Sequence, residues 1–504
     1  MQNNKLYLID GIVSQEFTAD DTGEVIYYIY SDDTHYGKFD NLYLLKDEIK
    51  KVDKSLVVSR FGISLTLMYG FAIPPYSLYN NLYALTIGDK LTIDFKKQEI
   101  LYSVDFPYLL SKSTQNEIYS DEKLKEVISK SVEENIPQDK RKVFLQSAGK
   151  DSSALIISLN DKNIKNVECI TYDSKFMEQE AKDASKIATH FNYTHDTVYN
   201  DSLKEYNLMK AFLKKSPSFN ADITIPAYIN MLNSVNIDKD TFLIDGSGND
   251  VYMGYVDAKK DILLRSLSFG KYIWSKTEAI NISPKINYML KTFQMYPMER
   301  LFSGSRLAYS SIKTIFGDVE IKPFIDTLVK KYDSLQRNDA KNFYKGRVFD
   351  TVSINTKAKM IADYYSIDYS LPFCDKHIID YYFNLPDDKK FDKINYKNKL
   401  GLRSLINKEL GEYEYVKNKG SFRFNINDFI KVNLPNMQKD IKKAIKILPN
   451  IKEISNFLIK NSDNYVYAYE LYTLWVTVEW LNNRGKEELD FNNSQNPYSL
   501  IIRL

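Results

Sequence analysis

The chain has 504 residues, too many for one hydrophobic core, so two or three domains are expected at roughly 150 residues each. Its composition, 44% hydrophobic and 27% charged with 39 Tyr and 27 Phe, is that of a folded globular protein and excludes extensive disorder. Lys plus Arg number 68 against 66 for Asp plus Glu; this formal charge of +2 supplies no field to gather a nucleic acid, and no apolar run reaches the roughly 18 residues of a membrane span.

The first residues, Met1 to Lys5, lack the apolar segment of a signal peptide. The two cysteines, Cys169 and Cys374, form neither a disulfide framework nor a zinc set, so a reducing cytoplasm is the expected location. Residues 6–9, 25–30 and 91–95 read as short strands broken by polar turns, which predicts a small β-rich domain. The apolar stretch 63–76 contains Pro74 and Pro75 and is expected as a buried strand and turn. Over 122–132 the apolar residues Leu124, Val127, Ile128 and Val132 take helical spacing, and a second domain is expected to begin there. The expected division is 1–115 and 116–504.

In the second domain, strands at 143–145, 167–172 and 241–244 alternate with helical segments such as 178–191. That alternation predicts an α/β fold with helices on both faces of a parallel sheet. Helices dominate beyond about residue 260, and Leu471, Leu474, Trp475, Val478 and Leu481 share one face of a C-terminal helix, a pattern of core packing. The four histidines, His35, His190, His195 and His377, have no metal-ligand spacing and are read as structural or surface residues.

The sharpest signal is Phe144-Leu145-Gln146-Ser147-Ala148-Gly149-Lys150-Asp151-Ser152-Ser153, a strand running into a small-residue loop and then an apolar helix. Such a loop aims backbone N–H groups and a helix N-terminus at one point, an arrangement suited to phosphate. Ser147 and Ser152 add hydroxyls, and Asp151 beside an anion implies an intervening divalent cation, which makes it a magnesium ligand. The Walker pattern is absent. About a hundred residues on, Thr241 to Asp250 is again strand, glycine turn and acid, so two acids are expected to converge at the ends of parallel strands.

These segments resemble the asparagine synthetase superfamily. The first loop is similar to the S-G-G-x-D-S pyrophosphate loop of the N-type ATP pyrophosphatases, with Ala148 in place of the first glycine, which implies that fold with a helical extension for the second domain, and Asp245-Gly246-Ser247-Gly248-Asn249-Asp250 is similar to the superfamily's S-G-E-G-S-D-E segment. Glu180 to Ala188, Leu371 to Asp375, and Lys399 with Leu402-Arg403 resemble its E-x-x-x-A-x-x-[IV]-A, R-x-P-F-L-D and K-x-x-L-R segments. Lys419-Gly420-Ser421-Phe422 stands in the register of its catalytic K-x-x-F. The resemblance implies ATP contacts at Leu145, Ser147, Gly149, Asp151, Ser152, Tyr172, Asp245 and Gly246, magnesium held by Asp151 and Asp250, and catalysis by Lys419. Leu67 to Pro74 with Leu78 to Leu85 and Gly88 is similar to the end of the family's glutaminase domain. That domain needs a cysteine directly after Met as nucleophile; Gln2 stands there and the first cysteine is Cys169, so glutamine hydrolysis is not expected.

Ser247 replaces the glutamate of S-G-E-G-S-D, and Asp368 and Ser370 replace the acid and arginine of E-x-R-x-P-F, which removes the aspartate-specific pattern. The expected function is an ATP-dependent ligase that adenylates a small-molecule or peptide carboxylate and couples it to an amine. A synthetase with an inactive glutaminase domain resembles the β-lactam synthetases and lasso-peptide cyclases, in which the amine belongs to the substrate and needs a general base, for which Asp368 is the candidate. A partner protein that delivers a peptide substrate is compatible with that reading. The alternatives are amidation of aspartate or a sugar uronic acid by free ammonia, and, in another class, a scaffold with a decayed synthetase fold. Against the scaffold stand the two acids facing phosphate.

Overall fold

The computed structural model describes residues 3–175, 178–253, 263, 266–268, 270, 283–302, 306–330, 337–411, 422, 424–489 and 498–503. Short strands open the chain: β1 (Tyr7–Leu8), β2 (Ser14–Thr18), β3 (Tyr27–Ser31), β4 (His35–Phe39), β5 (Leu82–Leu85), β6 (Asp89–Asp94) and β7 (Glu99–Val104). In β6 the side chains alternate, with Leu91 and Ile93 buried and Lys90 exposed, whereas all four residues of β5 are buried. β1, β4, β3 and β5 form one antiparallel sheet in that order. The inward residues Phe17, Ile29, Tyr36, Leu85, Leu91, Ile100 and Tyr102 come from both this sheet and a second one built on β2, β6 and β7.

The second domain is built on β8 (Arg141–Leu145), β9 (Val167–Asp173), β10 (Thr194–Tyr199), β11 (Thr241–Asp245) and β12 (Asp368–Ser370). They form one parallel sheet in the order β10-β9-β8-β11-β12. Val143 and Phe144 at its centre are fully buried, which is why β8 reads as a continuous apolar run rather than an alternating one. From β8 the chain adds strands outward in one direction through β9 and β10, then in the other through β11 and β12. The order therefore reverses between β8 and β11, and an open parallel sheet presents a crevice at the C-terminal ends of two such strands. Among the described residues no helix is long and apolar enough to cross a membrane.

Two expectations need correction. The stretch 63–76 is not a strand and turn: Arg60–Tyr69 is a helix, capped by Ser59, whose side chain accepts the Gly62 N–H, and ended by Gly70 at φ 93°. Every residue from Gly62 to Tyr69 is buried, so no amphipathic stripe marks the helix in the sequence. The last strand, β13 (Ser499–Arg503), pairs in parallel with β7, so the end of the second segment completes a sheet of the first domain.

Candidate nucleotide site

At the crevice the strands end in register, with Asp245 opposite Leu145 and Leu145 opposite Ile170. Beyond Leu145 the chain turns through Ser147, Ala148 and Gly149 into the helix Lys150–Asp161, whose N-cap is Gly149. No side chain caps that end, so its first N–H groups are available to an anion. Ser147 Oγ accepts the Gly149 N–H at 3.2 Å and lies 3.0 Å from Ser152 Oγ, which places both hydroxyls on the loop's inner side. Ala148 is fully buried and not in the left-handed region, so the missing glycine adds no backbone strain.

The second turn follows β11. Asp245 Oδ1 accepts the Ser247 N–H at 2.8 Å and its hydroxyl at 2.6 Å, which closes the turn. A Cβ on Gly246 would stand 3.6 Å from both the backbone nitrogen and the hydroxyl of Ser152, so the two loops lie against each other. Gly248 has φ +112°, and a Cβ there would fall 2.4 Å from Cys374 Sγ. Only glycine meets both conditions, and that turn aims Asn249 and Asp250 back towards the first loop.

Lys399 Nζ donates to Asp151 Oδ2 at 2.7 Å and Oδ1 at 2.9 Å, and to Asn249 Oδ1 at 3.0 Å, and it lies 2.8 Å from Asp250 Oδ1. Asn249 Nδ2 in turn donates to Asp151. The Lys399 side chain is only 6% exposed; burial alone would lower its affinity for a proton, but Asp151 and Asp250 hold it well above the usual lysine range. Its backbone is left-handed, at φ 55° and ψ 46°, just before the helix Leu400–Leu410.

Tyr172, near the end of β9, donates from its hydroxyl to Glu205 at 2.8 Å, accepts from Asn200 at 3.0 Å and stacks on Phe422 with ring centres 5.6 Å apart. Phe422 is the aromatic residue of the K-x-x-F segment, so that segment's end is packed on the strand-end tyrosine. Lys419 lies outside the described residues, as does Gln2.

Asp368 is not brought to the site. It pairs with Phe242 at the start of β12, three residues before the level of Asp245, or about 10 Å at strand rise. Its exposed carboxylate is bound by Lys140, which precedes β8, at the opposite end of the strands from the loops. The expected base role is therefore withdrawn.

The oxygen donors of Asp151 and Asp250 fit a hard divalent cation, because both carboxylates already face one positive charge. No cluster of three His, Cys, Asp or Glu side chains suited to a metal occurs among the described residues, so such a cation would take its further ligands from phosphate and water.

The roles of Lys399 and Asn249 do not emerge from sequence reasoning. Lys399 belongs to a recognisable K-x-x-L-R segment, but its engagement with Asp151, 248 residues away, exists only in the fold. A second buried ammonium, Lys357, also escapes sequence reasoning: it donates to Thr224 Oγ1 at 2.7 Å and sits 4.2 Å over the ring of Tyr228. Tyr228 faces Asp245 and Ser247, and burial together with the Asp245 carboxylate pushes its hydroxyl well above the ordinary range.

The family model for asparagine synthase matches residues 123–441, well over half of the chain and inclusive of every element of this site. No curated protein matches the chain.

Proposed function

The chain belongs to the asparagine synthase family of ATP-dependent, AMP-forming amide ligases, and on that premise we propose that it adenylates a carboxylate and closes an amide with an amine carried by the same substrate. The observation that supports the adenylation step is the convergence of Asp151, Asp250, Asn249 and Lys399 at the mouth of the Ser147–Ser152 loop. The loop N–H groups and the hydroxyls of Ser147 and Ser152 bind the β- and γ-phosphates, and Lys399 neutralises charge on the oxygens it faces. Magnesium held by Asp151 and Asp250 would supply further charge neutralisation and draw the phosphates into line.

A substrate carboxylate oxygen attacks the α-phosphorus, the bond to the β-phosphate oxygen breaks, and pyrophosphate leaves. The amine then attacks the acyl carbon, its proton passes to solvent water, and AMP leaves with the electron pair of the broken acyl–oxygen bond. Leu145, Tyr172, Asp245 and Gly246 form the floor beneath the nucleotide, and Lys419 is assigned to the tetrahedral oxygens on its K-x-x-F register alone. The absence of cysteine from residues 1–168 supports an amine that does not come from glutamine.

Purified protein incubated with ATP and substrate should yield AMP and pyrophosphate in equal amounts; ADP and phosphate as stoichiometric products would overturn adenylation. Asp151→Asn and Asp250→Asn should each lower carboxylate-dependent ATP–pyrophosphate exchange by at least about a hundredfold. Product that rises in proportion to added ammonium would instead identify free ammonia as the nucleophile.

A further inference from the structure

The loop between β2 and β3 belongs to the first domain but ends against the nucleotide site. Asp20 orders it, accepting the backbone and hydroxyl protons of Thr22 at 3.0 Å and the Tyr27 hydroxyl at 3.2 Å. Gly23, at φ +72°, lets the loop close on Ile87 and Thr351. Its carbonyl accepts from Asn355 Nδ2 at 3.1 Å, and that amide also lies 3.7 Å from Cys374 Sγ. Glu24 Oε1 accepts the backbone N–H of Leu371 at 2.9 Å, and the Glu24 carbonyl accepts the Tyr369 hydroxyl at 3.2 Å.

Leu371 to Cys374 is thus a thin layer with the first domain on one side and the catalytic turn on the other. Cys374 Sγ occupies the space a Cβ on Gly248 would need. The Tyr252 hydroxyl, on the short helix Asp250–Met253, donates to the Phe373 carbonyl at 2.7 Å. The two residues that follow Gly248 are Asn249 and Asp250, both in contact with Lys399.

We propose that Glu24 is a positioning residue of the nucleotide site, supplied by the first domain, that holds the Leu371–Cys374 layer against the Gly248 turn and thereby sets Asn249 and Asp250. The inference rests on the nucleotide-site reading above. It gives the strand-rich first domain a part in ligation.

Burial pushes the Glu24 carboxyl up to about 7; the Leu371 N–H and Lys359 act against that rise, and Asp20 and Asp375 reinforce it. The other titratable groups facing it are the phenols of Tyr27 and Tyr369 and the thiol of Cys374. The folded carboxyl therefore keeps its proton well above the pH at which it would lose it in the unfolded chain. Its contribution to folding stability is full in acid and is lost as pH rises through about 7.

The test is calorimetric binding of α,β-methylene-ATP with Mg2+, from about pH 6 to about pH 8, to wild type, Glu24→Ala, Glu24→Gln and Asp151→Asn. Glu24→Ala should bind about tenfold more weakly at the acid end, and Glu24→Gln, a permanent mimic of the neutral acid, within about twofold of wild type there. A carboxylate accepts the Leu371 N–H at least as well as the neutral acid does, so Glu24→Ala should remain the weaker binder towards the alkaline end. Equal binding by wild type and a folded Glu24→Ala, or binding by Glu24→Gln as weak as that of Glu24→Ala, would overturn the inference while leaving the site intact. A wild type that does not bind the analogue, or an Asp151→Asn that binds it equally well, would overturn the nucleotide-site reading and this inference with it.

Discussion

Lys399 carries two oddities with one cause. A lysine in the left-handed region costs about 1–2 kcal/mol, and a buried ammonium costs more, yet both persist because the position puts the charge between two carboxylates. Lys399→Met removes the charge and leaves Asp151 and Asp250 facing each other. Because the carboxylates are 29% and 35% exposed, solvent screens part of the repulsion, and the expected loss is about 1–3 kcal/mol. Thermal melts should show that loss, millimolar magnesium should restore more of it in the variant than in wild type, and ATP–pyrophosphate exchange should be abolished. A variant as stable as wild type without magnesium would show that the three side chains do not depend on one another. At Ala148 the expectation is the reverse of what the family motif suggests. The residue does not need positive φ, so Ala148→Gly should leave exchange unchanged and reduce stability by about 0.5–1 kcal/mol through the freer unfolded chain, read from urea denaturation.

The glycine turn after β11 is an element with little tolerance. Gly248→Ala would place a methyl 2.4 Å from Cys374 Sγ on backbone at φ +112°, so it should lower the melting temperature and shift Asp250 enough to cut exchange by about tenfold or more. Gly246→Ala meets only ordinary contacts beyond 3.4 Å and should be mild; equal effects from the two would refute this account of the turn. Both turns are legible in the sequence because strand, loop and acid are contiguous, so local chemistry announces them. What is not legible depends on distant partners. The helix Arg60–Tyr69 has no polar face to set a period, since its environment comes from elements on all sides. Asp368 sits in the right segment but at the wrong end of a three-residue strand, and only the register with Phe242 and the pairing with Lys140 reveal that. The end of the chain gives no sign that Ser499–Arg503 extends the sheet of β7.

At the scale of the molecule the two domains share structure rather than merely touch. Arg347 lies in the wide π-type helix Asn342–Asn355 of the second domain, but its guanidinium is buried in the first, where it binds Asp89, donates to the Ile87 carbonyl at 3.0 Å and reaches the Tyr102 hydroxyl at 2.8 Å. Arg347 is 1% exposed and Asp89 fully buried, and burial pushes Asp89 up against the opposing pull of Arg347. Together with β13 on β7, this pair makes unfolding of one domain costly to the other. Wild type should therefore lose both domains in one urea transition, followed by hydrogen exchange in β6 and β7 and in β8 and β11. Arg347→Met should cost about 3–5 kcal/mol, since it strands a buried carboxylate, and Asp89→Asn in the same chain should recover part of that loss by removing the charge. If Arg347→Met instead melts the first domain alone, and the parallel sheet keeps its protection and its nucleotide binding, the domains are independent and the loop carrying Glu24 has no rigid base from which to act on the site.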